Sequence, residues 1–263
     1  MQGARLRRRA PWSVNGSYNC RSGICARPPP ERGFFASPAA RVTVSAVDWE
    51  AHAEREEARY ADGLARLPED VEARQKQLVR IAMAAGGAGL ARLMQGRRGE
   101  AAGWFSRSAE RYRESYDGAP AGSWGRLIGA IKSRILAGDW DGAAADAGWT
   151  LEQDPVASGS PIGAYAAVLA HLTLGDDAEG GRLAADLRDA DFPESVAAAL
   201  TALSARDEQG YHDAVAHVLE SFESREAYLE DLPVADTVLV LEALADRRGL
   251  DAGLRSPLLP ERV

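Results

Sequence analysis

Four histidines, His52, His171, His212 and His217, are the side chains best suited to move a proton or hold a metal near neutral pH. His212 and His217 stand five apart, so they do not share one helical face as an i, i+4 ligand pair does. The chain has no H-E-x-x-H and no G-x-S-x-G. His217 reads as a surface histidine within reach of an acidic neighbour. Adjacent carboxylates occur at Glu56-Glu57, Glu69-Asp70, Asp176-Asp177 and Glu230-Asp231. General acid–base work needs two carboxyls in different environments across a cleft. Acids adjacent in sequence at helix ends read instead as solvated caps. Gly86-Gly87-Ala88-Gly89 lacks the preceding strand and the following Lys-Ser/Thr of a phosphate loop, and reads as close helix packing. Cys20 and Cys25 fall short of the four ligands of a structural zinc site and give no disulfide framework. The expectation is a chain without catalytic residues, metal ligands or cofactor.

The elements that carry these residues are helical. Apolar positions recur at three, four and seven from Asp48 onward, the one-sided stripe of a helix packed on a neighbour. The clearest stripe is Trp124, Leu127, Ile128, Ile131 and Ile135. Ten such segments follow one another from Trp49, the last including Val234 to Ala245. Boundary signals accompany them: Ser160-Pro161, Asp-x-x-Glu boxes at Asp176 and Asp191, and Gly249 behind Arg247-Arg248. The stretches 95–101, 138–143, 175–179 and 206–211 read as analogous tight turns, each joining an apolar helix to an amphipathic one. Gly89, Ala101 and Phe105 stand where a tetratricopeptide unit has small, small and aromatic residues. The fold expected is all-α, an irregular, tetratricopeptide-like array of antiparallel helix hairpins over 48–263.

Residues 1–47 differ in kind. They carry eight Arg against one Glu, a net of +7, with Pro28-Pro29-Pro30 and no periodicity. With a total of −8, the remainder carries −15. The segment reads as a disordered basic extension, either an arm for acidic partners or sequence ahead of the true start. The second reading is preferred, because Val42, Val44 and Val47 can each serve as a start and helical patterning begins just after them. The acidic body disfavours nucleic acid and suits a basic protein partner. No run of 18 apolar residues is present to span a membrane. A body without cysteine fits a reducing cytoplasm.

Aromatic residues offer the remaining binding signal. Trp124 and Trp140 lie on apolar stripes and read as core. Trp104 adjoins Phe105 and Trp149 lies off the stripe of its helix, so one of these two is expected on the surface. Glu226, Glu230, Asp231 and Asp236 flank Tyr228 and form the candidate partner-binding patch.

Residues 202–260 carry a family likeness. Arg206-Asp207 precedes a helix with Tyr211 near its start; a long apolar helix runs into Arg248-Gly249; the chain closes through Ser256, Leu259 and Pro260. This order resembles the immunity protein 49 family of polymorphic toxin systems. Pro257 and Leu258 depart from the acid and aromatic of that pattern. Upstream the likeness is architectural. The resemblance implies a protein that binds a cognate toxin domain and blocks its active site. Two rivals stand beside it: a general tetratricopeptide-like adaptor for a peptide or protein, whose groove would carry Asn, Arg and Lys at regular positions, and an enzyme drawing His and carboxylates from several helices.

Overall fold

The computed structural model describes residues 47–228 and 231–261. The basic extension, with Trp12, Cys20 and Cys25, lies outside them apart from Val47. The described residues form ten α-helices and no strand. They are α1 (Trp49–Ala65), α2 (Val71–Met94), α3 (Arg98–Tyr116), α4 (Trp124–Ala137), α5 (Trp140–Glu152), α6 (Pro161–Leu174), α7 (Asp177–Arg188), α8 (Glu194–Ala205), α9 (Glu208–Glu223) and α10 (Asp236–Asp246). None is long and apolar enough to cross a membrane. From α1 to α9 each helix packs on the next, and α4 also touches α6. Short connections make such neighbours antiparallel hairpins.

The four analogous turns share one construction. Each helix ends on a residue with positive φ: Gly96 at 75°, Gly138 at 72°, Gly175 at 81° and Arg206 at 54°. In the last three an aspartate follows at once and caps the next helix. Asp139 accepts from the Gly142 amide, Asp176 from Glu179 and Asp207 from Gly210, at 2.9, 3.3 and 3.0 Å. A left-handed residue followed by a capping side chain reverses the chain in two residues. The first turn lacks a side-chain cap. Arg206 adopts the left-handed conformation without being glycine.

Small residues set how closely the first hairpin packs. A Cβ on Gly89 would lie 2.7 Å from the Phe105 ring, so the aromatic of α3 fills the space that α2 leaves bare. Ala101 and Phe105 are both fully buried, as the tetratricopeptide-like pattern requires.

Ser160 caps α6 and Pro161 opens it, as read from the sequence, although the Ser160 side chain makes no capping bond. Helix starts differ from the sequence reading at two places. Asp191 caps nothing: α8 starts at Glu194, behind Pro193. Phe192 takes precedence there, burying its ring 5.2 Å from that of Tyr165. Val234 sits just ahead of α10, buried in the preceding loop.

The last helix departs from the linear order. The connection 224–235 runs back to the first hairpin, where Leu232 packs with Ala53 of α1 and Ala91 of α2. Helix α10 then lies against α4, α8 and α9. It is tied at both ends. Lys132 of α4 donates to Asp236 at its start, 2.6 Å apart. Arg248 just past its end donates to Asp177 of α7 at 2.9 Å and to the Leu172 carbonyl at 2.7 Å. The closing segment returns alongside: the Ala235 amide donates to the Leu258 carbonyl, and Ser256 Oγ donates to Glu223.

Two substitutions check this packing. Gly175→Ala places a Cβ at positive φ and is expected to lower stability by about 1 kcal/mol in urea unfolding. Gly89→Ala is expected to cost about 2 kcal/mol by overpacking, with part regained in the double variant Gly89→Ala/Phe105→Leu.

Candidate functional site

The loop that carries α10 back across the array encloses a recess against α2, α3 and α4. Its volume is about 120 Å³, and it opens to solvent on one side. The bare backbone of Gly86 and Gly87 forms part of one wall. A Cβ on Gly86 would meet only Ser108 Oγ, at 3.4 Å, so this glycine leaves open space. Met83, Leu90, Phe105, Leu136, Leu232 and Val234 make most of the lining apolar.

Among the described residues three charged groups face this space: Lys132, Arg225 and Asp236. Lys132 is 5% exposed, and its ammonium makes one hydrogen bond, to Asp236. Burial pulls the Lys132 pKa down, but Asp236 beside it more than compensates, so the net direction is upward and the group stays charged. Arg225 comes from the connection after α9. Its guanidinium carbon stacks 3.6 Å above the centroid of Phe222 and forms no ion pair with a described residue. Burial lowers the Arg225 pKa, with Asp236 and Tyr228 opposing.

The Ser108, Ser133 and Tyr228 hydroxyls of the wall are already committed. Ser133 donates to Ser108 Oγ at 3.1 Å, and Ser108 donates to the Ala82 carbonyl at 2.8 Å. Tyr228 donates to the Phe222 carbonyl at 2.8 Å, and burial raises its pKa. Thr237 points at Asp236 Oδ1, 3.5 Å away. Among the described residues, what remains is donor capacity on two cations, in a wall whose three charges sum to +1.

The patch read from sequence divides between the recess and the surface. Tyr228 is half-buried and lines the recess, and Asp236 turns inward to Lys132. Glu226 and Asp231 are exposed, Asp231 with a φ of 55°. Glu230 lies outside the described residues. Neither Trp104 nor Trp149 is fully exposed: both are half-buried. Trp104 meets Tyr60 edge-on at 5.4 Å, with Arg107 stacked on it. Trp149 meets Tyr116 edge-on at 5.1 Å beneath Arg113. Each is covered by an arginine from a neighbouring turn or helix, which keeps its apolar face from water.

Two of the adjacent acids are not simple solvated caps. Glu56 is fully buried behind Gly87, held by Arg55 and Arg59 at 3.0 and 2.7 Å. Asp177 takes Arg248. Sequence reasoning also missed Asp146, 2% exposed, which receives Arg113 and Arg134 from α3 and α4. The histidines do not converge. His171 pairs with the cap Asp176, His217 Nδ1 donates to the Asp213 carbonyl, and His52 has its pKa lowered by burial. No group of three or more His, Cys, Asp or Glu among the described residues could hold a metal ion.

A second surface stands out on α9. Its exposed side carries Glu208, Asp213, Glu220 and Glu223, and the whole helix contains no Lys or Arg. Hydrogen bonds from His212 and Gln209 hold the Asp213 pKa below its usual range. No family model, no curated protein and no solved structure matches this chain.

Removing the recess ammonium strands a partly buried carboxylate. Lys132→Met is expected to lower unfolding stability by about 3 kcal/mol, and Lys132→Met/Asp236→Leu to recover most of that loss. Urea unfolding of the three variants measures the coupling.

Proposed function

We propose that this chain is a non-enzymatic protein-binding module of the immunity type, one that holds a cognate toxin domain and occludes its active site. The observation that carries the reading is the acidic side of α9, which is free of Lys and Arg and lies within the stretch that resembles the immunity protein 49 family. Four exposed carboxylates without an intervening cation create a field that attracts a basic surface, such as a nucleic-acid-binding cleft. Charge of this kind acts mainly on the rate of encounter.

The residues that carry the likeness serve the framework rather than the contact surface. Arg206 and Asp207 make the α8–α9 turn, Tyr211 is fully buried, and Arg248 ties α10 to α7. Leu259 is buried in the closing segment. The likeness therefore supports a common scaffold, and the partner would be read by variable surface groups. The adaptor alternative receives less support. Every second helix of a hairpin array contributes to one face, and here α10 lies against α4 and α8 of that series. A peptide groove along this face would be covered by the chain's own last helix.

The reading expects a neighbouring gene to encode a toxin domain, and co-expression of the full chain with that domain should restore growth of arrested cells; continued arrest contradicts the reading. Replacing Glu208, Asp213, Glu220 and Glu223 by their amides should slow association with that domain about tenfold at low salt, with helix content unchanged. Stopped-flow binding reads the rate. An unchanged rate places the contact on another surface.

A further inference from the structure

We propose that the recess bounded by α2, α4, residues 225–228 and 232–235 and the start of α10 is a binding site for a small apolar monocarboxylate, with the carboxylate on Lys132 and Arg225 and the apolar part among Met83, Leu90 and Leu136. The inference stands apart from the toxin reading and uses none of the α9 acids.

The argument begins with unmet donors. An ammonium has three N–H groups, and a guanidinium has five in a planar fork. The Lys132 ammonium, nine-tenths buried, makes one bond; Arg225 forms no ion pair with a described residue. A buried donor without a partner is costly, and the cost is larger for a charged one. The Ser133, Ser108 and Tyr228 hydrogens already go to Ser108 and to the Ala82 and Phe222 carbonyls, so these three add no donor for a ligand. Among the described residues the only carboxylate lining the space, Asp236, is occupied by Lys132. Glu56, behind Gly87, is neutralised by its own two arginines and does not line the recess.

A ligand must therefore accept hydrogen bonds, and a charge of −1 balances the wall. Phosphate esters carry more negative charge at neutral pH and have little use for apolar walls. A carboxylate presents two coplanar oxygens that suit a guanidinium fork. The volume of about 120 Å³ sets the size of the rest. An apolar protein cavity of about 150 Å³ is known to take benzene, so a branched chain of four or five carbons suits this one. Phe222 stacking fixes the guanidinium plane in advance, which limits the ordering that binding requires.

The test is calorimetric titration of the full chain with 4-methylpentanoate, and with 4-methylpentanamide as the uncharged counterpart. Arg225→Gln removes one donor set while leaving the Lys132–Asp236 pair in place. Gly86→Leu fills the space from a helical position with room for a side chain. Helix content and melting of both variants are measured first. The acid should bind the unaltered chain, the amide about tenfold more weakly, and the acid about tenfold more weakly to Arg225→Gln. Gly86→Leu should abolish binding. Acetyl-alanyl-leucine with a free carboxyl, set against its amide, distinguishes the source: stronger binding than the free acid assigns the site to a chain terminus, weaker binding to a metabolite-sized acid. Both results keep the chemistry. Absence of binding by any carboxylate, equal binding of acid and amide, or full affinity in Arg225→Gln would overturn it.

Discussion

The structure depends on two buried cations that fasten the last helix across the array. Lys132 holds the start of α10 through Asp236, and Arg248 holds the far end through Asp177 and the Leu172 carbonyl. Hairpin stacking alone would leave α9 as the end of an open, elongated series. Residues 224–235 instead return to α1 and α2, and α10 covers part of the face made by alternate helices. Taking a charge out of water opposes folding, and each pair offsets that cost only while both partners are present. Such pairs also specify a position, since an α10 displaced by one turn would leave two cations in apolar surroundings. Here the pairing fixes which surfaces exist at all.

The recess follows from that arrangement. It exists because the returning loop leaves the space beside Gly86 open while Leu232 closes over Gly87, and because Lys132 and Arg225 enter it from different elements. The acidic side of α9 follows as well. With α10 packed on α4, α8 and the inner side of α9, the side of α9 that carries Glu208, Asp213, Glu220 and Glu223 stays exposed and keeps its carboxylates in water. One constraint thus yields both an internal cationic pocket and an external anionic strip.

Much of the fold was legible in the sequence, since local rules govern hairpins. Period and turn chemistry mark the ten helices and the Gly-Asp reversals, and Gly89 with Phe105 announces close packing. The capping of α8 was not legible, because burial of Phe192 against Tyr165 outweighs a local Asp-x-x-Glu signal. The site was mostly hidden. Charged side chains were assigned to solvated faces by type, and Glu56, Asp146 and Lys132 break that rule by pairing inside. A signal did exist for Lys132: it stands four residues after Ile128, on the apolar side of the strongest stripe, and it is one of only two lysines in the chain. Arg225 gave none, because its position depends on a loop that returns over about a hundred residues of intervening fold. The tryptophans misled for a related reason. Arg107 and Arg113 cover Trp104 and Trp149 through contacts that no stripe reveals.

Amide hydrogen exchange on the Arg248→Met variant tests the fastening of α10 most directly. The account predicts that protection falls selectively in 236–246 and at Leu259, while α2 and α3 keep the protection they have in the unaltered chain. Uniform loss across all helices, or full protection of α10 without Arg248, would contradict it.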